Sequence, residues 1–312
     1  MRVADYITAL LASHDIRHIF MVTGGGAMHL NDALGRHKQL QVVCCHHEQA
    51  CAMAAESYTR LSGRLAAVNV TSGPGGVNAL NGVYGAFVDS IGMIVVSGQV
   101  KRETMVSSYD LPLRQLGDQE IDIIKMAGSV CKFSAVLRDP ADTRYLIEKA
   151  LWFATSGRPG PSWIDVPIDV QGAKIDPAAL RGFDPVAEGL GDSIAFPAEA
   201  PGQDSALEKV AQNVLERLAK AKRPVILAGM GVRISKSYDL FLRVIEKLGI
   251  PVTTGWNAYD MLWNAHTLYA GRPGTIGDRA GNFAVQNSDF LLILGSRLNI
   301  RQISYNWKSF ER

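Results

Sequence analysis

Two short apolar runs, residues 65–70 and 91–96, are strand-length and carry almost nothing polar to show to water. A strand that is apolar on both faces must be covered on both, which is the situation of a parallel sheet between helix layers. Parallel neighbours need a crossover, and helix-patterned stretches separate the strand-like ones along the first half of the chain. Apolar side chains recur at helical spacing at Val3, Tyr6, Ile7, Leu10 and Leu11, and residues 19–22 then read as a strand. Gly24-Gly25-Gly26 turns the chain into a helix through Leu30 and Leu34. Residues 40–44 form the next strand and 49–61 an alanine-rich helix. Helices over 78–88, 121–127 and 140–155 and strands over 133–137 and 162–166 complete the alternation. The pattern predicts an α/β fold with a doubly wound parallel sheet and right-handed crossovers.

Periodicity dissolves over residues 171–204, where Pro177, Pro185, Pro197 and Pro201 stand among glycines and alanines. Beyond it a second α/β pattern opens: helix 207–219, strand 225–228, helix 240–248, strand 251–254 and strand 290–294. The domain organisation expected is therefore 1–172, a linker over 173–204 packed along the surface, and a second, Rossmann-like doubly wound domain over 205–312 that ends early.

Several function classes are excluded on composition. Thirty-two basic and thirty acidic residues leave a net charge of +2, with no basic runs to form a nucleic-acid surface. The cysteines, Cys44, Cys45, Cys51 and Cys131, form no Cys-x-x-Cys pair, so neither a zinc site nor a disulfide framework is expected. No signal peptide is read at the start, and the longest apolar runs fall far short of a membrane span. A soluble, cytoplasmic protein is expected. His46 and His47 stand beside Glu48, but adjacent strand residues face opposite ways, and Cys51 replaces the second histidine of His-Glu-x-x-His. No metal site is predicted there.

The chemistry concentrates around Glu48, which follows the 40–44 strand and opens the alanine-rich helix. The turn Thr71-Ser72-Gly73-Pro74-Gly75-Gly76-Val77-Asn78 follows the next strand. Each alone says little: a helix-initial glutamate gains about 0.3–1 kcal/mol from the helix dipole, and glycine-rich strand-to-helix turns are shared with nucleotide folds. In this order, followed by Asp89-Ser90-Ile91, Ser97-Gly98-Gln99-Val100 and Arg158-Pro159-Gly160-Pro161, the chain resembles thiamine diphosphate (ThDP) enzymes. The likeness is to the pyrimidine-binding domain, and within the family it is nearest to the acetolactate synthase large subunit.

The resemblance implies roles for particular residues. Glu48 would activate ThDP by hydrogen-bonding the N1′ nitrogen of its aminopyrimidine, with Ser72, Pro74, Gly75, Asn78 and Gln99 shaping the pocket. Gln119 would face the active site from a mobile loop. Arg158, Gly271, Thr275 and Arg297 would contact FAD, although ThDP enzymes without FAD share the same middle fold. Mg²⁺ would be held by a third domain opening on Gly-Asp-Gly, whereas Gly117-Asp118, Gly191-Asp192 and Gly277-Asp278 are not followed by glycine. A truncated chain is expected, with a split subunit or a non-catalytic relic as alternatives.

The activity implied is decarboxylation of a 2-oxoacid and carboligation to an acceptor carbonyl, in a homo-oligomer with its sites between subunits. A ThDP-dependent decarboxylase is the alternative, but residues 101–120 lack the histidine pair such enzymes use. Two departures bear on substrate. Asp118 stands where acetolactate makers carry an aromatic residue, and Thr23 where proline is usual.

Overall fold

The computed structural model describes residues 1–190 and 205–310. Two units divide the chain, Met1–Ala195 and Phe196–Arg312.

The first unit is an α/β sandwich. Its strands are β1 (His18–Met21), β2 (Gln41–Cys44), β3 (Ala67–Val70), β4 (Met93–Gln99), β5 (Phe133–Val136) and β6 (Pro161–Pro167). All pair in parallel, in the order β2-β1-β3-β4-β6-β5. The helices are α1 (Val3–Ser13), α2 (Met28–Arg36), α3 (Glu48–Ser62), α4 (Pro74–Asp89), α5 (Ile123–Ala127), α6 (Thr143–Thr155) and α7 (Ile168–Gly172). Val3, Ile7, Leu30, Leu34, Ile147 and Leu151 of α1, α2 and α6 share one core with the strands. Helices α3, α4 and α5 pack on the sheet and on one another instead. The alanines of α3 have a use here: at Gly82 of α4 even a Cβ would lie 2.6 Å from that of Ala52. Small residues let these two helices approach closely.

Strands β3, β4 and β6 are buried along their whole length. Yet Asn69, Ser97, Gln99 and Asp165, all within this buried stretch, are polar. They lie toward the carboxyl ends of their strands. Chain order runs from β1 outward to β2 and then back past β1 to β3, so a crevice opens between the carboxyl ends of β1 and β3. Open α/β sheets bind ligands at such a reversal.

Element boundaries mostly follow the expected pattern, with one informative difference. Helix α4 starts at Pro74, not at residue 78. Proline has no N–H to waste at a helix's first position, and its fixed φ suits the helix. Gly73, at φ 61°, makes the sharp entry. The Gly-Pro-Gly segment is thus the first turn of the helix rather than a loop before it.

Residues 173–190 lie against the first unit. Lys174 bridges to Arg2, Phe183 packs edge-on against Trp152 and Tyr145, and Lys149 pairs with Glu188 at 2.6 Å. The rest of the expected linker, 191–204, with Pro197, Pro201 and Gly191-Asp192, lies outside the described residues.

The second unit comprises α8 (Ser205–Lys220), β7 (Pro224–Ala228), α9 (Gly231–Ile234), α10 (Tyr238–Leu248), β8 (Val252–Thr254), α11 (Arg279–Gln286), β9 (Phe290–Leu294) and α12 (Ile300–Ile303). Its strands pair in parallel in the order β8-β7-β9. Ile226, Phe241, Ile245, Val252, Met261 and Leu262 fill its core. Edge strand β9 is half-buried throughout. Among the described residues no helix is long and apolar enough to cross a membrane.

Candidate active site

Glu48 is the first residue of α3, separated by residues 45–47 from the carboxyl end of β2 at Cys44. His47 caps the helix by accepting from the Gln49 N–H at 3.1 Å, which accounts for one histidine of the pair; His46 is exposed. The Glu48 side chain is half-buried, and its Oε2 accepts from Asn78 Nδ2 of α4 at 3.0 Å. Among the described residues Oε1 meets no donor. The space beside it is kept by Gly75, where a Cβ would come 3.5 Å from Oε1 and 2.9 Å from Thr71 Cγ2. One carboxylate oxygen is therefore held by the protein and the other faces a gap that a larger residue at 75 would fill. That is the arrangement a proton-exchanging carboxyl needs toward a bound ring, and it fits an aminopyrimidine.

The early glycine loop closes one wall. Gly26 N–H donates to Thr71 Oγ1 at 3.0 Å, and Asn31 Nδ2 donates to the Gly24 carbonyl at 3.1 Å while accepting from buried Asn69 at 2.7 Å. Ser72 is buried against Gly26, and Pro74 is exposed at the mouth of α4.

On the other wall, Gln119 is exposed in a left-handed backbone conformation, φ 57°, with its carbonyl over Gly73. A Cβ on Gly73 would lie 2.2 Å from that oxygen. The structure thus brings Glu48, Ser72, Pro74, Gly75, Asn78 and Gln119 to one crevice. Gly73→Ala should destabilise the fold by about 1–3 kcal/mol, because it combines a positive φ with a backbone clash. The measurement is the thermal unfolding midpoint together with protease cleavage within residues 116–122; an unchanged midpoint and an uncut loop would contradict this packing.

Gln99 is 1 % exposed and lies behind the crevice. Its amide contacts are internal, to Asp165, Ile121 and Val100. Arg158 precedes β6 and so sits at the amino-terminal end of the strands, opposite to the end where Glu48 lies, and there its Nε donates to Ser90 Oγ at 2.5 Å. The structure does not bring it to the Glu48 site.

Three residues of this region escaped the sequence reading. Thr71 wedges between Gly24 and Gly75. Glu120 accepts from the N–H groups of Val106 at 2.7 Å, Leu116 at 3.2 Å and Gly117 at 3.1 Å, and so shapes the loop that carries Gln119. Asp165 is a carboxyl inside a buried strand, and a charge within Trp163-Ile164-Asp165-Val166 was the available signal. Burial pushes the Cys51 thiol, near Glu48, up to about 12, so it is protonated and inert.

In the second unit, Gly271 (φ 95°) follows β8 and accepts from Thr254 N–H at 3.2 Å. Thr275 is exposed at a cavity of about 350 Å³ that Pro273, Gly274, Asn282 and Gln302 also line. Gln302 is buried, yet among the described residues its Nε2 has no partner. Arg297 is exposed beyond β9. Among the described residues no group of three or more His, Cys, Asp or Glu could hold a metal ion.

Comparison with known proteins agrees with this geometry. Residues 1–126 match the family model of the thiamine pyrophosphate enzyme N-terminal TPP binding domain, and residues 211–312 that of the thiamine pyrophosphate enzyme central domain. The acetolactate synthase large subunit of Lactococcus lactis is 32% identical over 286 residues, covering 92% of this chain and 46% of the relative. The chloroplastic acetolactate synthase of Arabidopsis thaliana is 33% identical over 306 residues, 96% of this chain and 42% of its own. For isozyme 3 of Escherichia coli K12 the figures are 28%, 309 residues, 96% and 49%. The chain spans about half the length of the curated relatives it matches. With an open carboxyl at position 48, a glycine-lined crevice beside it and both family domains in sequence, this chain belongs to the thiamine pyrophosphate enzyme family.

Proposed function

We propose that this chain serves an acetolactate synthase-like reaction, the ThDP-dependent decarboxylation of a 2-oxoacid and its carboligation to an acceptor carbonyl. Bound ThDP supplies the carbon nucleophile and the electron sink. The observation that carries the reading is the Glu48 carboxyl, with Oε2 held by Asn78 and Oε1 open to the gap beside Gly75. Glu48 holds and exchanges a proton at the pyrimidine nitrogen, and Ser72, Pro74, Gly75 and Asn78 shape the space around that ring. Gln119 orients the acceptor. Asp118, exposed beside it, is why the proposal stops at a class of carboligation rather than at acetolactate as product.

In this reading Mg²⁺ and the diphosphate are held by protein outside these 312 residues, in keeping with relatives about twice as long. A homo-oligomer with the site between subunits is supported by Met53 of α3 and Tyr84 and Phe87 of α4, large apolar side chains left exposed on the helices that flank Glu48. In the same reading FAD binds at the second unit's cavity, a position supported by Thr275 and by the Gln302 Nε2, which has no partner among the described residues. Gly271 and Arg297 would have to meet it from the cavity's surroundings.

The test is product analysis of this chain together with the protein that holds the diphosphate, supplied with ThDP, Mg²⁺ and a 2-oxoacid, with calorimetric titration of ThDP and a visible spectrum of the same preparation. Heat of ThDP binding, a flavin band and a carbon–carbon bonded hydroxy-oxo acid are expected. Free aldehyde alone would favour a decarboxylase. Colourless protein that ignores ThDP would favour a non-catalytic role.

A further inference from the structure

Asp165 of β6 is 1 % exposed and stands beside Ser97 and Gln99 of β4. Ser97 Oγ donates to Oδ1 at 2.5 Å and accepts from Trp163 Nε1 at 2.7 Å. Gln99 Nε2 donates to Oδ2 at 2.9 Å, and also to the Ile121 carbonyl at 3.0 Å. Gln99 Oε1 accepts from the Val100 N–H at 3.0 Å. The amide can point only this way. Turned over, its oxygen would oppose a carboxylate and a carbonyl, and its NH₂ would oppose the Val100 N–H. Ile121 lies two residues past Gln119, and Glu120 between them gathers two backbone donors of the same loop, Leu116 and Gly117, and a third from Val106. The loop over 116–122 thus has one anchor of its own and one that comes from the sheet.

We propose that Asp165 is a positioning residue: through the Gln99 amide it fixes Ile121, and with it the left-handed Gln119 backbone over Gly73, facing Glu48. Any effect on turnover rests on the carboligase reading above; the effect on the loop does not. The link is protonation-sensitive. Burial pushes the Asp165 carboxyl up to about 7, opposed by the Ser97 and Gln99 donors. Of the charged groups facing it, Asp122 at the start of α5 pushes the same way and Arg138 after β5 opposes. As a carboxylate, Asp165 accepts from both partners. Protonated, it must aim its hydrogen at the Gln99 NH₂, donor against donor, or at Ser97 Oγ, which must then turn its own hydrogen away. In the second arrangement Oδ2 still accepts from Gln99, but as a neutral oxygen it holds the amide less strongly than a carboxylate does, so the loop tightens as pH rises through about 7 and loosens below.

Global stability moves in the opposite sense. A carboxyl whose pKa is raised by folding binds more protons folded than unfolded, so its contribution falls as pH rises from the ordinary aspartate value of about 4. The fall ends near the folded value of about 7. A merely structural residue would move loop and fold together.

The test is amide exchange of residues 116–122, corrected for intrinsic rates, in the full protein a unit either side of about pH 7. For Asp165→Asn we expect about five- to tenfold faster loop exchange above the midpoint, and loss of the pH dependence. Ser97→Ala, which removes the far donor and the acceptor of Trp163 Nε1 but not the Gln99 link, should lower the thermal midpoint and leave loop exchange alone. If Asp165→Asn exchanges like wild type above the midpoint, or the wild-type loop shows no pH dependence, the proposal is overturned; the second measurement needs no variant to fold. In turnover, Asp165→Asn should raise the acceptor KM and leave donor decarboxylation intact. A wild-type chain supplied with the protein that holds the diphosphate and still inactive on every 2-oxoacid, with the loop effect present, would sink the functional reading and uphold the positioning role.

Discussion

Glu48→Gln is expected to lower turnover by about 10²–10⁴-fold, the range typical of a lost general acid–base group. Glutamine keeps the size of the side chain and can still accept from Asn78, so the hydrogen bond at 3.0 Å survives. What it cannot do is take up and return a proton at the atom that faces the Gly75 gap. The variant should therefore fold as wild type and still bind ThDP in a calorimetric titration, with the loss confined to kcat. A kcat within tenfold of wild type would remove Glu48 from the chemistry and with it the central support of the proposed function. The contrast matters because half-buried glutamates at helix starts are common, and their replacement by glutamine usually costs at most the dipole contribution of about 1 kcal/mol.

The largest expected effect on stability is at Gly98. This glycine lies in β4 where the early loop crosses the sheet, and a Cβ there would lie 2.2 Å from the Gly26 carbonyl oxygen, 2.4 Å from its carbon and 2.6 Å from Ala27 Cα. All three are backbone atoms. Nor can the loop retreat freely: the Gly26 carbonyl accepts from Gln171 at 2.7 Å, and its N–H donates to Thr71 at 3.0 Å. Overpacking of this kind costs about 3 kcal/mol or more. At roughly 2–4 °C per kcal/mol for a domain this size, the midpoint should fall by on the order of 6–12 °C. Gly85→Ala is the control. It lies in α4 with open space where its Cβ would go, so the helix should gain about 0.5–1 kcal/mol. Equal stability of the Gly98 variant and wild type would show that β4 and the early loop do not meet as described.

The site was legible where its parts are local. Glu48 at a strand-to-helix turn and the run from Ser72 to Asn78 are each written within a few residues, and the fold brings them to one crevice. Gln99 and Arg158 were legible only as members of a resemblance. In the structure Gln99 turns inward to Asp165, 66 residues away, and Arg158 stands at the amino-terminal ends of the strands with Ser90, 68 residues away. No spacing rule connects such pairs. Glu120 went unnoticed for a different reason: its partners are backbone N–H groups, which every sequence offers everywhere.

By itself the amino-acid order determined the alternation of strands and helices, since covering an apolar strand on both faces is a demand made residue by residue. It also determined that β9 would span 290–294, and that a carboxyl and a glycine-rich turn would follow successive strands. Only the tertiary structure decided that Asn78 holds one oxygen of that carboxyl, that Gly73 carries the Gln119 carbonyl, and that Asp165 meets Ser97 and Gln99 out of water. Those outcomes depend on which strands become neighbours and in what register. Hydrogen bonds and steric exclusion act over about 3 Å in space, whatever the separation along the chain.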